Sequence, residues 1–225
     1  MFCFCDTNEQ NKQKMWAQVV PVFGTIKNKK QAIATAIVLN SNFIITVAHT
    51  FYRKNGTLKD EEFEIYVNSE KHLLQDPIYK KYSWNYTEIK DDIYHDLCIF
   101  NMPDKLYVNS ELYLYDDLDF EGHLLLKGYP YSNCEPETTR TIIHNKYSSS
   151  RTYKKKPLIR LNFTNCFQLE AFLIPGFSGG PVLNKNEVLG MIVYGPEPYE
   201  SNSSCTAIKA EYIMKVIKEN GWINK

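Results

Sequence analysis

Gly176-Phe177-Ser178-Gly179-Gly180-Pro181-Val182 is the stretch that decides how this chain is read. One hydroxyl stands among three glycines, entered from Pro175 and left through Val182-Leu183. Small or absent side chains around a serine make sense where the backbone itself must approach another molecule. A serine whose neighbouring N–H groups converge on one point can act as a nucleophile beside an oxyanion hole. The competing reading is a tight turn between two strands, since Ser and Gly are turn residues.

Two further segments supply what a serine nucleophile needs. Thr46-Val47-Ala48-His49-Thr50 follows the apolar run Phe43-Ile44-Ile45, so His49 stands at the end of an expected buried strand. His95-Asp96-Leu97-Cys98-Ile99-Phe100 places Asp96 at the start of another apolar run. A serine hydroxyl needs an imidazole to take its proton, and the imidazole needs a carboxylate to hold its tautomer and offset its charge. Asp91 and Asp92 are rivals for that carboxylate. They lack a directly following apolar strand, so Asp96 is preferred. His95 is read as structural, because adjacent residues of a strand point to opposite faces. Cys166 and Cys205 lack the Gly-rich setting that would expose backbone donors.

These three elements, in the order His, Asp, Ser, resemble those of the chymotrypsin-fold (trypsin-like) serine proteases. TVAHT resembles the T-A-A-H-C element of that family, DLCIF its D-[IL]-A-[LV]-[LV] element, and GFSGGPV its G-D-S-G-G-P-V. The approach to the serine, from Phe167-Gln168 to Pro181, is similar to that of HtrA-like proteases. Leu126-Lys127-Gly128-Tyr129-Pro130 resembles the G-Y-P element of V8-like glutamyl endopeptidases. The resemblance runs from about Trp16 to the C-terminus.

The resemblance implies an all-β fold: two six-stranded antiparallel Greek-key β-barrels of the chymotrypsin type, followed by a C-terminal α-helix. It implies a single peptidase domain, with residues 1–14 as a flexible leader and barrels over about 15–105 and 120–210. The helix would span 211–221. It implies a catalytic triad of His49, Asp96 and Ser178, and an oxyanion hole formed by the N–H groups of Gly176 and Ser178. Phe177 departs from the Asp of the trypsin branch, which pairs with a newly cut N-terminus. A phenyl ring cannot form that ion pair, so activation by such a cut is not expected. An apolar plug behind the hole is expected instead.

By the same alignment the substrate pocket is walled by Phe172, Leu173 and Ile174, by Val193-Tyr194-Gly195, and by Cys205-Thr206 opposite. No Asp or Glu occupies its floor, so a Lys or Arg preference is not expected. Val193 stands where V8-like enzymes place a glutamate-binding histidine, which argues against a Glu preference. An apolar P1 preference remains, and the Val193–Gly195 backbone is expected to pair with an extended substrate. The implied activity is that of a serine endopeptidase working through an acyl-enzyme. The alternative is a catalytically silent module of the same fold that binds extended peptides.

Composition is consistent with a protein or peptide substrate and adds few constraints. The chain has 225 residues, with 26 Lys and Arg against 26 Asp and Glu. That balance implies no nucleic-acid partner. No apolar run is long enough to span a bilayer. Residues 1–14 lack the apolar core of a signal peptide, which favours a cytoplasmic or non-classically exported protein over a Sec-secreted one. A monomer is expected, with no cofactor and no metal. Cys3-x-Cys5 is a poor zinc site, since no matching pair of ligands lies nearby.

The six cysteines, Cys3, Cys5, Cys98, Cys134, Cys166 and Cys205, are expected as free thiols. Thr50 stands where secreted relatives carry a half-cystine, and Cys98 lies in an apolar run. Sequons at Asn55, Asn85, Asn162 and Asn202 matter only in a secretory pathway.

Along the chain, short strands separated by turn signals are expected from Ala17 to Ala210. The stretch His72–Asp92 reads as a long surface loop, and Met102–Phe120 as the connection between the lobes. Glu211–Asn220 differs: Tyr212, Ile213, Val216 and Ile217 fall on one helical face, with Gly221 as a stop.

Overall fold

The computed structural model describes residues 15–26, 28–40, 42–82, 96–102, 108, 110–117, 123–130, 137–145, 150–152, 160–162, 165–171, 173, 175–194 and 204–223. They form an all-β molecule closed by one C-terminal helix, as expected. The strands are β1 (Trp16–Ile26), β2 (Lys29–Leu39), β3 (Phe43–Thr46), β4 (Glu64–Val67), β5 (Glu70–Leu73), β6 (Tyr79–Tyr82), β7 (Asp96–Asn101) and β8 (Leu112–Leu114). The second half holds β9 (His123–Gly128), β10 (Glu137–Asn145), β11 (Ser150–Thr152), β12 (Arg160–Asn162), β13 (Cys166–Glu170), β14 (Pro181–Asn184), β15 (Glu187–Tyr194) and β16 (Ser204–Lys209). Helix α1 spans Ala210–Glu219.

In the second half, antiparallel pairing runs β14-β9-β10-β13-β16-β15, and β15 pairs back onto β14. Six strands thus return on themselves, which leaves no unpaired edge in that ring. Inside it pack Leu124, Leu126, Phe167, Leu169, Val182, Leu189, Ile192, Cys205 and Ala207. In the first half the path is β5-β4-β1-β2-β3-β7-β6. Its own core is formed by Val20, Val22, Ala34, Ala36, Ile44, Phe51, Phe63, Ile65, Cys98 and Phe100.

A further apolar cluster lies between the two strand sets. It joins Ile37, Leu39, Ile45, Leu97 and Ile99 to Val188, Met191, Val193 and Ile208. β2 and β3 are buried on both faces for this reason: their alternate side chains serve two different cores.

Two segments differ from the sequence expectation. Tyr79–Tyr82 lies within the stretch read as surface loop, yet it is a strand paired with β7. Its lysines are exposed and its tyrosines half-buried, so it is an edge strand masked by charged side chains. Leu112–Leu114 lies within the expected connection, yet it pairs antiparallel with β1 and parallel with β15. This three-residue strand stitches the two sets into one sheet path, and its length gives too little alternation to recognise.

Helix α1 buries Ala210, Ile213, Met214, Val216 and Ile217. Each fully buried aliphatic side chain of this kind stabilises the fold by roughly 1.5–3 kcal/mol. The helix packs on β15 and β16 of the second half. Its face joins the cluster shared by both halves, and Trp222 beyond it reaches Phe43 at a ring-centroid distance of 5.8 Å. Gly221, at φ 70°, ends the helix in the left-handed conformation that glycine tolerates. Among the described residues no helix is long and apolar enough to cross a membrane.

Candidate active site

His49 sits in a single 3-10 turn, Ala48–Thr50, that follows β3 directly. Asp96 is the first residue of β7. β3 and β7 are antiparallel neighbours with Thr46 opposite Cys98, so the exit of one strand meets the entrance of the other. Two hydrogen bonds result. The His49 backbone N–H donates to Asp96 Oδ1 at 2.8 Å, and His49 Nδ1 lies 2.5 Å from Oδ2. Asp96 is wholly buried, and the His49 side chain is 31 % exposed. A buried carboxylate facing Nδ1 holds the proton there and leaves Nε2 as the basic nitrogen on the accessible edge. The rivals Asp91 and Asp92, and also His95, lie outside the described residues.

Lys59 secures the turn from below. Its ammonium donates to the carbonyl of Thr50 at 2.8 Å and to that of His49 at 3.2 Å. Burial of the amine lowers its pKa below the ordinary lysine value, and nearby Glu61 opposes the shift.

The serine loop is built by its glycines. Gly176 has φ 106° and Gly179 φ 87°, both in the left-handed region. The Gly180 N–H closes the turn onto the Phe177 carbonyl at 2.8 Å. The Gly179 N–H donates to Ile192 O at 2.7 Å, and the Ile192 N–H returns to Gly180 O at 2.8 Å. A Cβ on Gly179 would collide with the Thr35 carbonyl oxygen and stand 2.6 Å from Thr46 Oγ1. The loop is therefore seated directly on the strands that lead to His49.

Ser178 itself is half-buried. Among the described residues the N–H groups of Gly176 and Ser178 donate to no hydrogen bond. No hydrogen bond joins Ser178 to His49 among the described residues. That contact commonly tightens only when substrate is bound.

Phe177 is 4 % exposed and packs in the core of the second strand set. A Cβ on Gly128 would stand 2.8 Å from the Phe177 ring and from its Cα. The glycine of Gly-Tyr-Pro thus makes room for the buried Phe177 ring of the serine loop. Tyr129 next to it anchors across the halves, its hydroxyl donating to Val19 O at 3.2 Å.

Of the expected pocket residues, Leu173, Val193, Cys205 and Thr206 are all buried. Leu173 and Cys205 pack in the core of the second strand set, and Val193 in the cluster between the sets. Thr206 faces away from the side chain of Cys205 by strand alternation, and its buried Oγ1 has no hydrogen-bond partner among the described residues. The Tyr194 backbone pairs with Thr206 in the β15–β16 ladder. Phe172, Ile174 and Gly195 lie outside the described residues. Cys98, Cys166 and Cys205 are buried and not disulfide-bonded, as expected for these three. The remaining cysteines lie outside the described residues.

The sequence reading missed Thr35, Thr46 and Lys59. One signal existed for Thr35: a hydroxyl in the otherwise apolar run Ala32–Leu39 must find a partner if it is buried. Nothing local distinguishes Lys59 from any surface lysine.

The family model for trypsin matches residues 9–217 of the chain. No curated protein matches it by sequence. Among solved structures it is similar to the Rv3671c protease from M. tuberculosis in its active form, with 15 % identity and a TM-score of 0.62. That match covers 90 % of this chain and 80 % of the other. The scabies mite inactivated protease paralogue S-I1 matches with 16 % identity and a TM-score of 0.61, over 92 % of this chain and 95 % of the other. The MamO protease domain from Magnetospirillum magneticum matches with 14 % identity and a TM-score of 0.58, over 88 % of this chain and 94 % of the other. These likenesses are to the fold. The match of the family model to nearly the whole length, on a chain that brings His49 onto Asp96 and seats the Ser178 loop beside them, shows that this protein belongs to the trypsin family of serine peptidases.

Proposed function

We propose that this protein is a serine endopeptidase with Ser178 as nucleophile, His49 as general base and then acid, and Asp96 as the group that orients His49. The observation that carries the reading is the two-point contact of the buried Asp96 carboxylate with His49. A carboxylate placed for packing alone would not meet both the backbone and the ring of one histidine. Ser178 Oγ attacks the substrate carbonyl while Nε2 takes its proton. The oxyanion is received by the N–H groups of Gly176 and Ser178. His49 then returns the proton to the leaving amine, and water releases the acyl group by the reverse sequence. We assign the P1 pocket to the segments that carry Phe172, Leu173, Val193, Tyr194, Gly195, Cys205 and Thr206, with an apolar preference. The peptidase domain comprises strand lobes over about 15–105 and 120–210, preceded by the leader 1–14.

A second reading is a silent module that binds extended peptides without cutting them. It is favoured by the absence of a Ser178–His49 hydrogen bond and by the likeness to an inactivated paralogue. Labelling with a fluorophosphonate probe followed by peptide mapping separates the two. The enzyme carries the label on Ser178, and Ser178→Ala abolishes both label and peptidase activity while the protein stays folded. Equal activity in wild type and variant would sink the enzyme reading.

A further inference from the structure

We infer that Thr35 is a positioning residue for the oxyanion loop: its buried hydroxyl, carried by the first strand set, holds the carbonyl of Gly176, the residue whose N–H the serine chemistry uses. The inference rests on the reading of Ser178 as nucleophile.

Thr35 is fully buried and every polar group it has is engaged. Its hydroxyl donates to the Gly176 carbonyl at 2.7 Å, across 141 residues of chain, and accepts the Tyr129 N–H at 3.0 Å. Its own N–H donates to the Ser178 carbonyl at 2.8 Å. Its carbonyl accepts from Thr46 Oγ1 at 2.7 Å, three residues before His49. One residue therefore grips the loop on both sides of Phe177 and is itself tied to the strand that delivers the histidine.

The surroundings make the hydroxyl informative. Ala34, Ala36, Ile37 and Val38 around it are all fully buried. A valine would fill the same volume with equal strand preference and no polar atom to satisfy. The hydroxyl is accounted for by what it bonds, namely the Gly176 carbonyl and the Tyr129 N–H. Gly176 stands at φ 106°, where the chain has no regular ladder to hold it. The Thr35 hydroxyl supplies that hold at the residue whose N–H is assigned to the oxyanion. The backbone bond from Thr35 N to Ser178 O survives any side-chain change, so the hydroxyl can be tested separately.

The test compares Thr35→Val, Thr35→Cys and Thr35→Ser with wild type in the full chain. Peptide kcat and KM, the affinity for a peptide boronate that mimics the tetrahedral adduct, and urea stability are measured. Thr35→Val is expected to lower kcat by about 10²-fold, the size of effect that follows when a catalytic group is misplaced by about 1 Å. KM stays within about threefold, and boronate affinity falls in step with kcat. Thr35→Ser restores kcat to within a few-fold, because the hydroxyl is back. Should Thr35→Val fail to fold, Thr35→Cys keeps the volume with a weak donor and is expected to lower kcat at unchanged KM.

The proposal is overturned if folded Thr35→Val or Thr35→Cys keeps wild-type kcat and boronate affinity. It is overturned equally if the loss disappears once activity is expressed per folded molecule. A wild-type chain that takes no fluorophosphonate at Ser178 defeats the nucleophile reading instead, so the two failures are distinct.

Discussion

Asp96 meets His49 twice, through Oδ1 to the backbone N–H at 2.8 Å and through Oδ2 to the ring nitrogen Nδ1 at 2.5 Å. The backbone contact sets where the histidine stands, and the ring contact sets which way its proton points. Asp96→Asn keeps the first and reverses the second, because an amide N–H facing Nδ1 forces the proton onto Nε2. The expected outcome is a loss of about 10⁴ in kcat with the fold retained. Asp91→Asn and Asp92→Asn are expected to leave kcat within a few-fold. Steady-state kinetics on the three variants check this, and a reversed ranking would show that the wrong carboxylate has been chosen.

Gly179 and Gly221 both have positive φ but differ in their surroundings. Nothing lies within 4 Å of a Cβ placed on Gly221, whereas on Gly179 it meets the backbone of Thr35. Gly221→Ala is therefore expected to cost only the left-handed strain, roughly 1–2 kcal/mol, at unchanged activity. Gly179→Ala must displace the serine loop, and activity is expected to fall at least about 10²-fold. Urea midpoints and peptidase assays on both variants give the comparison. Similar behaviour of the two would mean that the loop is not seated on Thr35 as described.

Stability is expected to fall above pH 9. Burial pushes the Cys166 thiol up to about 12, with Lys209 opposing and Asp96 adding to the shift. Burial and then Asp96 push Cys98 up as well, above its ordinary 9.0. In the unfolded chain both thiols ionise near 9, so between that value and the folded one the native state binds more protons. Stability is then full below pH 9 and declines as pH rises, by up to about 1.4 kcal/mol per pH unit for each thiol. Lys59 acts with the opposite sign: its lowered value means that the unfolded chain binds the proton more tightly, and stability rises up to the ordinary 10.5. Urea unfolding at pH 7, 9 and 10.5 should show a midpoint that drops above 9, and a shallower drop in Cys98→Ala/Cys166→Ala. An unchanged slope in the double variant would remove the thiols as its cause.

Removing residues 1–14 is expected to leave activity within error. Phe177 is enclosed by apolar side chains, and an unpaired ammonium brought beside it would cost several kcal/mol. Nothing in the serine loop is then expected to wait for a newly cut N-terminus. Kinetics of the full chain and of a variant beginning near Trp16 test this. An inactive full chain that gains orders of magnitude on trimming would reveal an activation switch.

The features legible before folding is considered lie in short segments with strong local chemistry. The serine among glycines, the histidine after Phe43-Ile44-Ile45 and the aspartate before Leu97-Cys98-Ile99-Phe100 could each be read in place. So could the apolar face of Tyr212, Ile213, Val216 and Ile217 that predicts α1. The all-β class followed from the same short runs, since period and turn residues are local properties. The remaining features arise from contacts between distant segments. Thr35 reaches Gly176 across 141 residues, and no spacing rule links a strand threonine to a glycine carbonyl that far away. Gly128 is explained only once the Phe177 ring is seen to occupy the space of its missing side chain. The strands Tyr79–Tyr82 and Leu112–Leu114 exist because β7, β1 and β15 offer them edges, while their own sequences carry little alternation. Hydrogen bonds and contacts of this kind form between surfaces that folding brings together, so neither partner needs to carry a mark of the other in its own stretch of chain.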